Sequence, residues 1–485
     1  MAARKKRALT PEEQLDAALV PESEWPYEVP GNWCWTRLGN VAQYINGRAF
    51  KPTEWEDEGR VIIRIQNLTQ STTIVNRTTK TYEEKYLVRS GDLLFAWSAS
   101  LGAHFWNGED GWLNQHIFKV IPHEGVDKLY LYFYLVNVVD QLYAKTHGSG
   151  MVHITMKPFK ATPMPLPPQH EQRRIASRIE WLFAKLDDAE AELREVIDSS
   201  ERRQAAILHS AFNGTLTVQW RRKCEGRNAS LIADIAAFAK DWKTKDRRLL
   251  AEQQAKCIDR NLDGHIWTEC TVGAIGRVTN GSTPSRKVPA YWGGDIPWVS
   301  SGEVRNNIIT ETHECITDEG YNGTSVNLLP AGTVLIAMIG EGKTRGQSSI
   351  LHIPATINQN VAAVVIDHGF VKPRFLWYWF KYSYKRNREA GSGTGPQALN
   401  CQRVRELPFI LPEKGEQAEI VRRLDILLER EQQTQSLALD ALEAIGKVRQ
   451  AALSKALHGE LGTNDPDEPS SKELLAGILS GNAGK

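Results

Sequence analysis

One long stretch of this sequence occurs twice, and the repeat constrains the fold more than any other feature does. The first copy covers residues 166–216 and the second covers residues 411–461. Both ends of the stretch recur at the same displacement, which is the 245 residues between Glu171 and Glu416, in a chain of 485 residues. The sequence therefore predicts two copies of one structural plan.

Apolar residues in both copies are spaced as on a coiled-coil helix. They recur at alternating steps of three and four residues, which produces a narrow stripe that a single helix cannot bury alone. The predicted seam consists of Ile175, Ile179, Leu182, Leu186 and Leu193 in the first copy and Ile420, Leu424, Leu427, Ile445 and Val448 in the second, where Glu431 and Thr434 fill two missing positions. We expect two long helices that pair with each other in antiparallel orientation. The alternative is two ordinary helices that pack on separate cores.

Residues that favour helix ends border each copy. Pro168 and Pro412 precede the predicted starts, where proline is tolerated. Glu171 and Glu416 lie in the first turns, where the helix dipole favours anions. Glycine favours the position just past a helix end, and the predicted ends lie at Gly214 and Gly459.

Composition indicates an ordinary soluble protein of several domains. Charged residues make up 24% and apolar residues 41% of the chain, and no run of 18 apolar residues predicts a membrane span. Six cysteines without a C-x-x-C pair fit a reducing cytoplasm, where we expect the protein to reside, and argue against a zinc site. The net charge of +1 is low for a free-standing DNA-binding protein, so any nucleic-acid binding should be local or shared with a basic partner.

The remaining segments predict two tandem α+β domains arranged around the long helices. Residues 61–65 and 92–97 are strand-like, residues 128–142 predict a helix, and Thr10 with Glu13 predicts a capped short helix. The predicted segments are an N-terminal arm with a short helix (1–24), a first domain (25–168), the central long helix (169–223), a helical linker (224–261), a second domain (262–412), the C-terminal long helix (413–461) and a mobile tail with a short helix (462–485).

The second domain repeats the first with insertions. Glycines and apolar residues match between the domains, whereas the polar residues between them differ. The matched positions are Trp33 with Trp267, Gly39 with Gly273, Asn46-Gly47 with Asn280-Gly281, Asn114-Gln115 with Asn358-Gln359, and Gly148-Ser149-Gly150 with Gly393-Thr394-Gly395. Two domains that share a backbone but present different loops should bind two different targets.

Catalytic motifs are lacking, so we expect no enzymatic activity, no catalytic residue, no metal and no cofactor in this chain alone. The segment from Ala337 to Thr344 resembles a relaxed phosphate loop, but a strand-like segment follows it where a true phosphate loop requires a helix. We therefore interpret it as a loop on a binding face. An enzyme that binds ATP through Lys343 is the alternative.

The motifs that border the long helices resemble the conserved regions of type I restriction-modification specificity subunits. The resemblance rests on the E-Q-x-x-I-x-x-R-[IL] starts after Pro168 and Pro412, on the R-Q-A-A-[IL] segments and on the G-x-L ends. The segment from Thr283 to Trp298 is similar to a frequent opening of their target-recognition domains. Together these motifs cover nearly all of residues 25–461.

This resemblance implies a DNA-recognition subunit in a phage-defence system. Each target-recognition domain would read one half of a bipartite, asymmetric site on double-stranded DNA. The long helices would set the spacer and dock two methyltransferase subunits, which methylate adenine N6 with S-adenosylmethionine. Motor-nuclease subunits, two in number and using ATP and Mg²⁺, would join for restriction. A methylation-only system and a protein-binding adaptor without DNA recognition are alternatives.

Bases are read by polar side chains on loops, arginine or lysine suiting guanine and asparagine or glutamine suiting adenine. The predicted DNA-binding residues of the first domain are Arg64, Gln66, Asn67, Trp97, Ser98, His104 and Ser149. Those of the second domain are Ser300, Ser301, Glu303, Glu341, Lys343, Thr344, Arg345 and Thr394. Because Asn114-Gln115 and Asn358-Gln359 recur, fold maintenance or phosphate contact is the better interpretation for them.

Overall fold

The chain divides into two compact units, each holding one globular domain and part of each long helix. Unit 1 is Met1–Arg194 with Leu439–Lys485, and unit 2 is Glu195–Ala438. The structure, a computed structural model, describes residues 9–69, 74–144, 153–224, 230–237, 244–262, 264–340, 342–390 and 398–482. The long helices are Gln169–Asp198 and Lys414–Leu457.

The described part of unit 1 contains two four-stranded sheets and a separate strand pair. The first sheet has the order Ala42–Asn46, Ile117–Pro122, Leu93–Ala96, Gly102–Phe105, and all of its neighbours are antiparallel. The second has the order Asn76–Thr78, Arg60–Ile63, Gly111–Leu113, Leu87–Val88, and its two central strands are parallel. The pair joins Cys34–Arg37 to Pro163–Leu166.

Unit 2 repeats the central strand order of both sheets and differs from unit 1 in its edge strands. Its first sheet has the order Arg277–Asn280, Val361–Val365, Val334–Ala337, Ser348–Leu351, with an added edge strand Ile308–Ile309. The second sheet has the order Glu314–Ile316, Trp292–Val299, Thr356–Ile357, and its last two strands are again parallel. A third sheet contains Ile258–Leu262, His265–Thr271 and Pro408–Leu411. The predicted tandem α+β domains are confirmed.

Short helices complete each unit. Those in unit 1 are Pro11–Ala18, Leu38–Val41, Ile65–Leu68, Lys128–Ala144, Met156–Lys160 and Ser471–Asn482. Those in unit 2 are Ser200–Phe212, Val218–Lys223, Ile232–Ala237, Thr244–Gln254, Val272–Ile275, Asp318–Asn322, Pro373–Tyr382, Tyr384–Glu389 and Cys401–Glu406. The capping box of Thr10 and Glu13 forms as predicted. The predicted helix from Lys128 packs its apolar side chains in the core of unit 1.

The repeated Glu-Gln pair fastens each long helix to its globular domain. Glu171 accepts a hydrogen bond from the Trp33 indole N–H at 2.7 Å, and Glu416 accepts one from Trp267 at 2.8 Å. The neighbouring glutamines each accept from a backbone N–H and donate to two backbone carbonyls of their own unit. Since both pairs are fully buried, each helix start is part of the adjoining core.

The remaining partners of the two glutamates differ in charge. Arg221, whose side chain is 2% exposed, donates to Glu416 at 2.7 Å, and the Thr217 hydroxyl donates to the same oxygen. In the part of the chain that the structure describes, no cation contacts the oxygens of Glu171, which instead accepts from the Asn464 amide at 2.8 Å. Burial raises the pKa of Glu171 above its usual value. The two copies therefore share geometry while differing in electrostatics.

Segments of the two long helices run antiparallel to each other within each unit. In unit 2, Arg203 forms a two-pronged ion pair with Glu431, and Arg423 donates to the Leu216 carbonyl. Since the partner number falls as the residue number rises, the direction is antiparallel. In unit 1, Arg449 pairs with Asp187, and the start of the first helix meets residues 463 and 464. The predicted pairing is confirmed.

The predicted seam is buried at both helix starts and becomes partly exposed farther along. Ile175, Ile179, Ile420 and Leu424 are fully buried in the two main cores, whereas Leu182, Leu186, Leu193, Leu427 and Ile445 are half-buried. Val448 is 50% exposed, which makes it the least buried of the predicted seam residues, and its assignment to the seam stays a prediction. A straight helix drifts relative to a strict seven-residue repeat, and here Arg449 takes the inward position over the Phe183 ring.

The central long helix is shorter than the predicted residues 169–223. It stops at Asp198, resumes at Ser200 and ends at Phe212. The Ser199 hydroxyl donates a hydrogen bond to the Glu195 carbonyl, and the Arg203 guanidinium donates one to the Val196 carbonyl. These side chains therefore compete with the backbone hydrogen bonds of the helix. The predicted glycine ends are confirmed by the left-handed φ angles of +86° at Gly214 and +75° at Gly459.

The predicted mobile tail is wrong for residues 462–482. Its helix buries Leu475 and Ile478 in the core of unit 1, and Arg174 forms an ion pair with Glu468. The N-terminal arm packs on the same core, since Ala18 and Val20 are buried. The polar composition of the tail led to the prediction of mobility, although each of these segments has a short apolar face.

The linker of unit 2 is only partly helical as predicted. Ile235 is buried in the core, and Ile258–Leu262 forms a strand that pairs with His265–Thr271. No helix in the described ranges combines the length and the apolar character needed to cross a membrane.

Candidate nucleic-acid interface

One backbone position makes the same hydrogen bonds in both domains, and a hairpin loop follows it directly. In unit 1 the Trp97 N–H donates to the His116 carbonyl at 3.1 Å, and in unit 2 the Met338 N–H donates to the Asn360 carbonyl at 2.9 Å. The carbonyls of these two residues accept from the N–H groups of Ile154 and Leu399, at 3.0 and 2.9 Å. We call this position the frame point. It is tryptophan in one domain and methionine in the other.

The loops that follow this point differ in length and conformation. In unit 1, residues 98–101 connect the strands, and Ala99 has a φ of +60°, a strained value for a residue with a Cβ. In unit 2 the loop runs over residues 338–347, and Tyr384 anchors it by donating to the Lys343 carbonyl at 2.7 Å. Each unit thus presents its own loop from a shared frame.

The recurring Asn-Gly and Asn-Gln pairs build that frame. A Cβ on Gly47 would lie 2.0 Å from the Asn114 carbonyl oxygen, and one on Gly281 would lie 1.7 Å from the Ile357 carbonyl oxygen. Only glycine permits these chain crossings. Asn114 and Asn358 are each 7% exposed, which supports their predicted role in fold maintenance.

The predicted DNA-binding residues of the first domain that the structure describes occupy two settings. Arg64 donates to Asn76 at 3.1 Å and lies over the Trp55 ring, while Asn67 closes the turn by accepting from the Arg64 N–H. Gln66 is half-buried beside them in the same turn. These three residues form one cluster after the strand Arg60–Ile63.

The hairpin of unit 1 holds three further predicted residues. Trp97 is half-buried, donates to Asn46 at 3.0 Å, and its ring lies 5.4 Å from the tilted His116 ring. Burial lowers the pKa of His104 on the second hairpin strand, so its imidazole is neutral near pH 7. Ser98 is 3% exposed, and its predicted base contact stays a prediction. Ser149 lies outside the described residues.

The second domain repeats the turn cluster with different side chains. Glu303 accepts hydrogen bonds from the Ser300 N–H and hydroxyl and from the His313 N–H, at 2.8 to 2.9 Å. Ser301 is half-buried in the same turn. Because the carboxylate already holds three donors, its first role is to fix the turn.

The long hairpin loop of unit 2 separates exposed from buried residues. Lys343 is exposed and Thr344 is half-buried, so both remain predicted contacts. Arg345 is only 7% exposed, and its predicted base contact stays a prediction. Glu341 and Thr394 lie outside the described residues.

Two groups of residues with suitable chemistry were missed. Arg305 is exposed beside Asn306, a left-handed residue at φ +59° whose amide oxygen accepts from the Ser348 N–H at 3.1 Å. The Arg-Asn-Asn sequence could have indicated it, since asparagine tolerates this conformation. In unit 1 the Gln115 Oε1 and His116 Nδ1 atoms are buried without a hydrogen-bond partner among the described residues. No sequence signal identifies such orphaned atoms.

Metal ligation finds no support in the described ranges, where no group of three His, Cys, Asp or Glu side chains comes together. The segment from Met338 leads into the strand Ser348–Leu351, so it lacks the helix that holds phosphates in a phosphate loop. The arrangement in each unit is a rigid sheet frame that presents polar and aromatic loops. Such an arrangement suits recognition.

Known proteins share both the sequence pattern and the fold. The model of the type I restriction modification DNA specificity domain matches residues 30–199 and 265–439. The EcoBI specificity subunit of Escherichia coli is 24% identical over 92% of this chain and 91% of its own length. The MjaIX specificity subunit of Methanocaldococcus jannaschii is 30% identical over 36% of this chain and 42% of its own.

Two solved structures resemble the whole chain. A protein from a study of assembly and conformational transition in the type I R-M system has a TM-score of 0.61 at 17% identity. The HsdS subunit of Thermoanaerobacter tengcongensis has a TM-score of 0.58 at 18% identity. Each match covers 90% of this chain and 100% of the other. With the family model matching most of its length, the chain belongs to the family of type I restriction-modification DNA specificity domains.

Proposed function

We propose that this chain is the DNA sequence-recognition subunit of a type I restriction-modification complex. Each domain reads one half of a bipartite, asymmetric site. The observation that carries this proposal is the shared frame point, where Trp97 and Met338 start loops that differ in length and chemistry. A common frame with unlike loops suits two readers of different sequences.

Base readout is assigned to exposed and half-buried side chains near these loops. Lys343 and Arg305 in unit 2 are exposed cations of the kind that contacts guanine. Trp97, His104 and the Arg64 turn cluster provide stacking and hydrogen-bonding groups in unit 1. The net charge of +1 means that partner subunits supply much of the phosphate attraction.

The long helices set the spacer between the half-sites and dock two adenine-N6 methyltransferase subunits. The second helix has 44 residues, which corresponds to about 66 Å at a rise of 1.5 Å per residue. Readers on successive turns of duplex DNA need a separation of only about 34–36 Å. The helix is therefore long enough to hold two readers apart.

Chemistry comes from the partner polypeptides. The methyltransferase subunits use S-adenosylmethionine, and two motor-nuclease subunits use ATP and Mg²⁺ when they join for restriction. This chain itself binds no cofactor and catalyses nothing. The division of labour agrees with a family match to a DNA specificity domain.

Exchange of one domain tests this function. Residues 262–412 are replaced by the corresponding domain of a relative, and methylome sequencing compares hosts that carry the original chain, the exchanged chain or neither. We expect one half-site to change while the other half-site and the spacer stay the same. Changes in both half-sites would refute independent readers. No dependence of methylation on the chain would favour a protein-binding adaptor.

A further inference from the structure

One exposed apolar position recurs on both long helices. Trp181 is 52% exposed and Ile426 is 37% exposed, and they are separated by the repeat distance of 245 residues. The second helix also exposes Leu437, Leu439 and Val448, but the first helix has Glu192, Arg194 and Arg203 at those places. Single exposed apolar residues are ordinary, whereas a duplicated one requires a shared cause.

The helix pairing does not provide that cause. Residues 179 and 183 of the first helix, and 424 and 428 of the second, pack against the cores of their own units. At about 100° of rotation per residue, Trp181 and Ile426 project away from this seam. Their exposure leaves both free for contact with another molecule.

Cations border each of these residues in the same pattern. Arg178 precedes Trp181 by three residues and Lys185 follows it by four, and Arg423 and Arg430 stand at the same intervals around Ile426. Residues three and four apart lie on one helix face. The Arg178 guanidinium lies 4.9 Å from the centre of the Trp181 ring. Each apolar centre therefore lies between two cations along its helix. In unit 2 the Arg423 guanidinium is held by Glu419 and the Leu216 carbonyl, so Arg430 is the exposed cation there, as Lys185 is in unit 1.

A shallow depression extends the face of unit 1. Its volume is about 500 Å³, and Trp181 forms part of its lining together with Arg173, Arg174, Ser177, Arg178 and Thr463. Tryptophan and arginine are the side chains most enriched among residues that dominate binding energies. The composition of the face matches that of a protein-binding surface.

We infer that Trp181 and Ile426 are the apolar anchors of two equivalent docking faces, each of which takes one copy of the same protein partner. The inference rests on the proposed function and identifies that partner as the methyltransferase subunit. Two equivalent faces on one chain fit two identical partners, just as isologous surfaces do in symmetric assemblies. Charge complementarity requires an apolar socket on the partner with an acidic side chain that faces Lys185 in one copy and Arg430 in the other.

Native mass spectrometry of the full chain with its methyltransferase subunit tests the anchors. The unsubstituted chain should bind two copies. Trp181→Ala and Ile426→Ala should each weaken binding at one site by about 10-fold or more. At subunit concentrations near the dissociation constant, each single variant should then bind one methyltransferase copy, and the double variant should bind none. Leu437→Ala is the matched control, since this residue is 68% exposed on the same helix without a counterpart, and it should keep two copies.

Charge reversal provides a second readout that leaves the apolar anchors intact. Lys185→Glu and Arg430→Glu should each weaken one site and reduce the salt dependence of binding, whereas Lys447→Glu, at a residue outside both faces, should not. The inference is overturned if the anchor variants keep two copies, if Leu437→Ala loses as much as Ile426→Ala, or if the variants lose only DNA affinity. If the unsubstituted chain bound no methyltransferase, the proposed function would fail first.

Discussion

Replacing Glu416 with glutamine should destabilise unit 2 far more than the same change at Glu171 destabilises unit 1. Glu416 holds the Arg221 guanidinium at 2.7 Å, and both side chains are at most 2% exposed. Breaking a buried pair by removing one charge costs about 3–5 kcal/mol, because the other charge remains buried. The donors at the Glu171 oxygens, Trp33 and Asn464, are neutral. Replacing Glu171 with glutamine therefore leaves no buried charge unpaired and should lower the free energy of unfolding by only about 1 kcal/mol.

Calorimetry of the full chain and hydrogen exchange resolved along the sequence would measure the difference. A change of 1 kcal/mol shifts Tm by about 2–4 °C for a unit of this size, so Glu416→Gln should lower the Tm of unit 2 by about 6–20 °C. Faster exchange should appear in residues 195–438 and not in unit 1.

A double variant separates charge from packing in this comparison. Glu416→Gln combined with Arg221→Met removes both charges, and much of the lost stability should return because no unpaired charge remains. Equal losses for Glu416→Gln and Glu171→Gln, or no recovery in the double variant, would refute the assignment of the difference to the buried ion pair.

Three further outcomes follow from the same contacts. Because the pKa of Glu171 is raised in the folded state, its contribution to folding stability is complete below the ordinary pKa of about 4.5 and is lost as pH rises through the raised pKa. Urea unfolding at a series of pH values should therefore show that unit 1 of the natural chain loses stability relative to Glu171→Gln as the pH rises. Gly459→Ala should lower the Tm of unit 1, with a cost of at least about 1 kcal/mol, because a Cβ there would lie 2.4 Å from Pro30 and φ is +75°. Matched seven-residue insertions between residues 188 and 202 and between 432 and 448 should lengthen the DNA spacer by about 3 base pairs at 1.5 Å per inserted residue, and methylome sequencing that found altered half-site bases would contradict this.

Periodicity and duplication in the sequence were sufficient to predict the architecture. The long helices, the matched domains and the glycine ends depend on spacing and on backbone freedom, both of which can be recognised in residue order. The break at Ser199 and the exposure of Val448 were not predictable in this way. The break at Ser199 depends on a hydroxyl and the Arg203 guanidinium competing for carbonyls, and the exposure of Val448 depends on slow helical drift.

The candidate interface was predicted only at the level of loops. The sequence identified the turn after Arg64 and the loop around Lys343, and in the structure Asn67 closes the turn and Tyr384 anchors the loop. It could not show that Ser98 and Arg345 are buried, since side-chain direction in a hairpin loop follows from local φ and ψ angles. The left-handed Asn306, which presents Arg305, shows how one backbone angle decides which side chain is offered.

Duplication also separates the surfaces that must be alike from those that must differ. Buried repeated residues such as Gln172 and Gln417 hold the frame, so their repetition requires only a common fold. Exposed residues near the frame points, such as Lys343, are not repeated, and this suits targets of different sequence. Trp181 and Ile426 are exposed and equivalent in position, a combination that neither folding nor differential readout explains. A partner that binds the chain twice provides the missing reason for that combination.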